Sequence, residues 1–174
     1  MHGLVYEIFE HWAIHHHHGL DTWHAIKEKA GCEVEDQAFV TRTYYRYDTW
    51  VDLINAASDQ LDMSQSDILE SYGHFNIKYH FDNGYGALLK CQGSTLRQWL
   101  SNLNAMHDHV QKSFPGDNYC PPVFWCEDAD DYEGCIELHY YSQRGNRLVS
   151  WVVGIVKELA SYHFDVEINM DRLC

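Results

Sequence analysis

The stretch NLNAMHDHV, residues 102–110, lies in the middle of the longest amphipathic segment of the chain. A helix over residues 95–114 turns by about 100° per residue, which gathers its large apolar side chains on one stripe. Those side chains are Leu96, Trp99, Leu100, Leu103, Met106, Val110 and Phe114. His107 falls within the stripe, whereas Asp108 and His109 point away from it. One regular helix therefore cannot offer both His107 and His109 to the same metal ion.

A histidine on an apolar stripe has two interpretations. Proteins hold a haem iron through one axial imidazole that reaches from a helix into an apolar cavity, and His107 suits that role. The other interpretation, which periodicity alone favours, is a core histidine bonded to a backbone carbonyl. The spacing of the helix does not decide between them.

A second informative stretch is GCIELHYYSQR, residues 134–144, which we predict to be a strand. Because side chains alternate along a strand, Ile136 and Leu138 share one face with Tyr140, Ser142 and Arg144. That face changes from apolar to hydrogen-bond donating. A phenol, a hydroxyl and a guanidinium form a row of donors suited to paired carboxylates, such as the two propionates of a haem. A solvated edge strand is the alternative.

The remaining pattern predicts an α+β chain whose first third is mainly helical. We expect helices over residues 3–16, 20–30, 49–61, 64–72 and 148–164, strands over 123–127, 134–141 and 165–170, and a strand or extended connector over 41–47. Asp21 is the expected N-cap of the second helix, and Gly31 its end. Gly73 is expected to end the helix that begins at Ser64 or Ser66. The strands at 123–127 and 134–141 form an antiparallel hairpin around an acidic turn.

Composition narrows the class of partner. The 174 residues suit one domain, and their net charge of −14 argues against binding nucleic acid or an anionic membrane. The first residues do not have the pattern of a signal peptide, and the longest apolar run, residues 151–156, cannot span a bilayer. We therefore expect a cytoplasmic protein whose partners are small molecules or proteins.

The metal-binding residue types give weaker patterns. The six cysteines form no CxxC pair, so neither a zinc ribbon nor a thioredoxin-like motif is indicated. The run of histidines over residues 15–18 has no cysteine or carboxylate at ligand spacing, which favours a solvated turn. A thiol or zinc redox sensor that uses Cys120, Cys126, Cys135 and Cys174 remains an alternative function.

With His107 and the Tyr-x-Ser-x-Arg pattern both present, the sequence resembles the H-NOX family (haem nitric oxide/oxygen binding), which includes the haem domain of soluble guanylate cyclase. The resemblance covers nearly the whole chain. It is carried by MHGLV at 1–5, TW at 22–23, AAS at 56–58, NLNAMHDH at 102–109, FPG at 114–116, PVFWC at 122–126, LHYYSQR at 138–144 and VGI at 153–155. These segments occur in the family's order, which is more specific than any one motif. Relatives often continue beyond the point that corresponds to Cys174. A short domain and a cut chain would explain this difference equally.

The resemblance implies a single domain over residues 1–174, with a helical distal lobe (1–63) packed on a proximal lobe (64–174) of a long helix and a small antiparallel sheet. Haem b would lie between the lobes. By motif, His107 would be the axial iron ligand, and Tyr140, Ser142 and Arg144 would bind the propionates. Pro122 would press on the macrocycle and distort it, and Leu103 and Met106 would contact the haem.

The resemblance also places three distal-pocket residues, Phe9, Asn76 and Trp151. Dioxygen-binding relatives have a tyrosine at the position of Trp151, supported by an asparagine at that of Asn76. If the Asn76 carbonyl accepts the Trp151 indole N–H, no phenol-like donor remains for bound dioxygen. The alternative is that Trp151 or the Asn76 amide points at the bound ligand and donates to it.

The implied function is a non-catalytic sensor in which gas binding alters the bond from His107 to iron. Nitric oxide is the expected ligand, carbon monoxide a further one and dioxygen the least favoured. The output would be a partner, either a histidine kinase or a cyclic-nucleotide enzyme, because the chain has no phosphate-loop or kinase motif of its own. A haem enzyme would need distal acid–base groups, and none is evident.

Overall fold

The computed structural model describes residues 2–16, 19–41, 43–113, 120–129 and 134–173. The helices are α1 (Gly3–His16), α2 (Leu20–Ala30), α3 (Tyr47–Leu61), α4 (Gln65–Asp82), α5 (Gly86–Lys90), α6 (Leu96–Ser101), α7 (Leu103–Ser113) and α8 (Val149–Phe164). Strands β1 (Val123–Asp128) and β2 (Ile136–Tyr141) lie between α7 and α8, and a 3₁₀ turn (Gly145–Leu148) leads into α8. The predicted α+β class is confirmed.

The two strands form the predicted antiparallel hairpin, in which Phe124 is opposite Tyr140 and Trp125 is opposite His139. Alternation gives the hairpin two different faces. Its inner face packs into the apolar core through Phe124, Cys126, Ile136, Leu138 and Tyr140. Its outer face leaves Val123, Trp125 and Tyr141 between 44% and 63% exposed. The hairpin therefore covers one side of the molecule with a single layer.

Apolar side chains gather in two clusters. The helical cluster is built mainly on α1, α2, α3 and the first half of α4, and its largest members are Tyr6, Phe9, Trp12, Trp23, Trp50 and Tyr72. The hairpin cluster joins the end of α4, α6, α7, the hairpin and α8, and its buried members are Ile77, Leu89, Trp99, Leu100, Leu103, Phe124, Val156 and Leu159. Helices α4 and α8 contribute to both clusters, and α8 adds Trp151 to the helical cluster and Val156 to the hairpin cluster.

Two glycines allow α4 and α8 to approach closely. A Cβ atom on Gly73 would collide with the carbonyl oxygen of Trp151, and one on Gly154 would collide with that of Glu70. The prediction that Gly73 ends its helix is therefore wrong. Gly73 lies inside α4, where it is needed for backbone contact rather than for a turn.

Three other local predictions are wrong. The helix expected over 95–114 breaks at Asn102, whose side-chain amide donates to the Gln92 carbonyl at 2.6 Å. Asp21 does not cap α2, because the helix begins at Leu20 and its N-cap residue is Gly19. No side chain makes a capping hydrogen bond there. The strand expected over 165–170 is irregular, and its Ile168 and Met170 pack on the hairpin cluster instead.

Other local predictions hold or lie outside the described residues. Gly31 ends α2 with φ at 61°, as predicted. The described residues of 41–47 form a connector with one isolated bridge, between His2 and Tyr44. Predictions that involve the following positions fall outside the described residues: Met1, His17, His18, Phe114, Pro115, Gly116, Asp130, Asp131 and Cys174. Within the described chain, no helix is long and apolar enough to cross a membrane.

Candidate functional site

The side chain of His107 projects from α7 toward the hairpin, where its ring lies 5.9 Å from that of Phe124. Its Nδ1 atom is buried and has no hydrogen-bond partner among the described residues. Burial lowers the pKa of His107, against a smaller opposing effect of the Asp108 charge. The imidazole is therefore neutral near pH 7, which is the form that ligates metals. The core-histidine interpretation requires a bond from a ring nitrogen to a carbonyl, and the described residues make no such bond with His107.

Asn104 fixes α7 against the hairpin. Its Nδ2 donates to the Phe124 carbonyl at 2.6 Å, and its Oδ1 accepts from the Phe124 N–H at 2.9 Å. One side chain thus satisfies both backbone groups of a residue in β1. His107 lies three residues further along α7, so this pair of hydrogen bonds positions the His107 ring beside Phe124. The helical pattern gave Asn104 no role, because its partner Phe124 lies twenty residues further along the chain in another element.

The three predicted donors do not share one regular strand. β2 ends at Tyr141, so Tyr140 is on the strand while Ser142 and Arg144 lie in the following turn. The Ser142 hydroxyl accepts the Arg144 backbone N–H at 3.1 Å, which holds the turn closed. The prediction that these three side chains share one strand face is therefore wrong beyond Tyr141, although the residues remain neighbours in the chain.

Arg144 links the hairpin to the helical cluster. Its guanidinium lies over the Tyr47 ring, 5.8 Å from the centroid, and donates to the Cys120 carbonyl at 3.1 Å. Burial raises the pKa of Tyr47, while the charges of Arg147 and Arg144 act in the opposite direction. Two guanidinium groups therefore lie near one half-buried phenol. This arrangement can hold an anion through charge-assisted hydrogen bonds.

Tyr47 and Arg147 were missed by sequence analysis. Tyr47 is nearly a hundred positions before Arg144, and Arg147 falls outside the strand pattern. Both line a cavity of about 500 Å³ between α3, the start of α4 and the start of α8. Trp50 and Leu148 also line this cavity, whereas His107 does not.

The remaining residues predicted to touch a cofactor on the side of His107 lie in or beside the hairpin cluster. Leu103 is buried, at 6% exposure, and Met106 is half-buried. Pro122 is half-buried immediately before β1. Contact between these three residues and a cofactor stays a prediction.

The predicted distal residues meet around two aromatic rings. Trp151 stacks on Tyr72, with ring centroids 5.4 Å apart, and lies 6.2 Å from Trp50. Phe9 is fully buried and presents its edge or face to the same two rings at 5.4 and 5.1 Å. The structure therefore brings Phe9 and Trp151 into one aromatic group.

Asn76 does not accept the Trp151 indole N–H, which is the first of the two arrangements that the sequence left open. Its Nδ2 donates to the Tyr72 hydroxyl at 3.4 Å, and that hydroxyl donates to the Val5 carbonyl at 2.9 Å. The Trp151 Nε1 is buried and has no hydrogen-bond partner in the described part of the chain. An indole N–H thus remains available as a donor.

The cysteines gain no metal-site geometry. Cys120, Cys126 and Cys135 are free thiols, and Cys174 lies outside the described residues. The one group of three metal-ligating side chains found in the described ranges contains no cysteine. A zinc site built on these thiols has no support from the positions that are described.

Comparisons with known proteins identify the family. The profile of the haem-NO-binding family, HNOB, matches residues 2–172. The chain therefore belongs to the H-NOX family, whose members are haem-binding gas-sensor domains. Soluble guanylate cyclase gcy-32 of Caenorhabditis elegans is 31% identical over 170 residues, which is 98% of this chain but 24% of that relative. Guanylate cyclase soluble subunit beta-2 of Rattus norvegicus is 33% identical over 61% of this chain and 15% of its own length.

Solved H-NOX structures share the fold. An H-NOX protein from S. oneidensis in the Fe(II) ligation state superimposes with a TM-score of 0.78 at 17% identity, covering 93% of this chain and 82% of the other. The Fe(II) unliganded H-NOX protein from K. algicida gives a TM-score of 0.75 at 21% identity, covering 95% and 84%. The chain spans about a quarter of the length of the Caenorhabditis elegans guanylate cyclases gcy-32 and gcy-34.

Proposed function

We propose that this domain binds haem b through His107 and senses nitric oxide for a partner enzyme in the cytoplasm. The observation that carries the proposal is the half-buried, neutral imidazole of His107, whose buried Nδ1 has no hydrogen-bond partner among the described residues. The position of His107 within a family motif and the absence of a carbonyl partner in the described chain both favour a ligand over a structural histidine.

The residues around His107 have distinct roles in this proposal. Bound haem would supply a ferrous iron that takes a diatomic gas. Tyr140, Ser142 and Arg144 would bind the propionates. The Arg144 guanidinium would either leave the Cys120 carbonyl or divide its five N–H donors between that carbonyl and a propionate. Pro122, Leu103 and Met106 would pack on the macrocycle on the same side as His107.

Asn104 is the residue that would transmit a change at His107. Because it bonds both backbone groups of Phe124, a shift of α7 must move β1 or break two hydrogen bonds. A coupling of about 1–3 kcal/mol suffices to change a partner's activity several-fold. The similarity to guanylate cyclases supports a cyclic-nucleotide enzyme as that partner, with a histidine kinase as the alternative.

Dioxygen is a second candidate ligand, and carbon monoxide is a third. The observation that favours dioxygen is the Trp151 N–H, which is unpartnered within the described chain, since bound dioxygen depends on a donor more than nitric oxide does. One hydrogen bond contributes about 0.5–1.5 kcal/mol, or roughly a two- to tenfold change in affinity. Nitric oxide remains the proposed signal because Trp151 replaces the tyrosine of dioxygen-binding relatives.

The ligand assignment is tested with His107→Gly and the matched control His109→Gly. We expect His107→Gly to lose haem during purification unless imidazole is added, and His109→Gly to retain it. Absorption spectra of the reduced proteins measure this. Equal retention by both variants without imidazole would refute the assignment of His107.

Gas selectivity is tested by exposing the ferrous protein first to air and then to nitric oxide. We expect an unchanged ferrous spectrum in air and a nitrosyl spectrum afterwards. A long-lived oxy spectrum that is lost in Trp151→Phe would instead identify dioxygen as the ligand and Trp151 as its donor.

A further inference from the structure

We propose that the outer face of the hairpin carries a Zn²⁺ site formed by Glu127, Glu137 and His139. This face points away from the inner-face residue Tyr140, and the proposal does not depend on haem. The ligating atoms of the three side chains all lie within 4.8 Å of one another.

The distances inside the group suit a metal better than hydrogen bonds. His139 Nε2 lies 3.3 Å from Glu127 Oε2 and 3.7 Å from Glu137 Oε2. This nitrogen is buried, and neither contact has hydrogen-bond geometry. Zn–N and Zn–O bonds of about 2.0–2.2 Å in a tetrahedron place ligand atoms roughly 3.3–3.6 Å apart. The observed separations are therefore close to those around one zinc ion.

The positions on the sheet hold the group in place. Glu127 and Glu137 are directly opposite each other in the hairpin register, where two like charges repel. His139 stacks on Trp125 with ring centroids 4.6 Å apart and planes within 5°, which fixes the direction of its nitrogen. Among the described residues, neither glutamate has a lysine or arginine at ion-pair distance. A divalent cation would relieve the repulsion that no described basic side chain neutralises.

The chemistry of the donors selects the kind of metal. One imidazole and two carboxylates suit Zn²⁺, whereas Mg²⁺ and Ca²⁺ prefer oxygen ligands alone. Water would complete the coordination, since Glu127 at the edge of the group is exposed to solvent. Bound Zn²⁺ would fasten β1 to β2 beside the acidic turn.

The test uses a parent protein in which the histidines at 15–18 are replaced by asparagine, so that four consecutive imidazoles do not take up added Zn²⁺ in the titration. Calorimetric titration of this parent with ZnCl₂ should show one site and a rise in Tm. His139→Gln should abolish both. Glu127→Gln and Glu137→Gln should weaken binding by more than the roughly 10–100-fold that loss of an outer-shell partner costs.

Two further measurements distinguish this site from a purely structural cluster and from a thiolate site. Without metal, Glu127→Gln should unfold at the same Tm as the parent or higher, because it removes a like-charge pair. Co²⁺ in place of Zn²⁺ should give weak visible bands without an intense thiolate band. Absence of Zn²⁺ binding in the parent, binding that survives His139→Gln, or a thiolate band would overturn the proposal.

Discussion

The large rings of the helical cluster and the predicted cofactor residues beside the hairpin differ in how deeply they are buried. Tyr6, Phe9, Trp12, Trp50 and Tyr72 in the helical cluster are all at most 1% exposed. Around α7 and the hairpin, by contrast, the cofactor residues predicted from sequence are largely half-buried, and His107 carries a buried nitrogen without a described partner. The largest rings of the helical cluster are thus more deeply buried than the predicted cofactor residues around His107, although each region has a buried ring nitrogen without a described partner. This difference supports the proposal of haem contacts on the hairpin side.

The largest expected effect is in the helical cluster. Phe9→Ala should lower the free energy of unfolding by about 3–5 kcal/mol, because the site is fully buried among large rings. Met106→Ala should cost only roughly 1 kcal/mol in haem-free protein, since a half-buried methionine contributes about half of its full 1.5–3 kcal/mol. Urea unfolding of the purified variants measures both. Equal losses would mean that the two regions are packed alike.

A smaller effect is expected at the contact between α4 and α8, which joins the clusters. Gly154→Ala should destabilise the protein by about 1–3 kcal/mol, because its Cβ would collide with the Glu70 carbonyl and force the helices apart. Ser161→Ala, an exposed change on the same helix, should stay within about 0.5 kcal/mol of the parent. Thermal unfolding compares them, and a neutral Gly154→Ala would show that the two helices can separate freely.

The hairpin side is tested by haem release. Arg144→Ala should speed haem dissociation roughly 10–100-fold, because hydrogen bonds to charged groups contribute about 1.5–3 kcal/mol. Ser142→Ala and Tyr140→Phe should have milder effects, since each removes a neutral donor. Transfer of haem to an acceptor apoprotein measures the rates. Unchanged release from Arg144→Ala would mean that Arg144 only joins Tyr47 and the Cys120 carbonyl.

The smallest effect is expected at Pro122. Pro122→Ala should leave haem affinity nearly unchanged while the macrocycle relaxes toward planarity, because alanine removes most of the ring proposed to press on it. A crystal structure of the variant provides the check. Unchanged distortion would remove the steric explanation.

The sequence predicted the class of fold because it depends on periodicity and turn chemistry. The hairpin and the end of α2 at Gly31 follow from such local signals. Gly73 shows the limit of these signals, since the same residue serves a turn or a close helix contact, and only its distant partner Trp151 decides which. Asn102 similarly breaks a periodic helix through a bond to the Gln92 carbonyl.

For the candidate site, the sequence could predict only residues that belong to a local pattern or motif. The predictions for His107 and Tyr140 came from patterns on one element each. Tyr47 and Asn104 were missed, because their roles arise from contacts between elements that are far apart in the chain. The partner of the Trp151 indole stayed open because sequence does not give side-chain direction, and in the structure Asn76 bonds Tyr72.

The docking of α8 on α4 also has a consequence for the order of events during synthesis. Trp151 covers Tyr72 and Trp50 in the helical cluster, yet it leaves the ribosome about eighty residues after Tyr72. Contacts of such sequence separation form late, because the chain between them must first be ordered. The helical lobe can therefore collapse early but cannot complete its core until the end of the domain is made. Haem acquisition is accordingly expected to follow translation of α8 rather than to template the first helices.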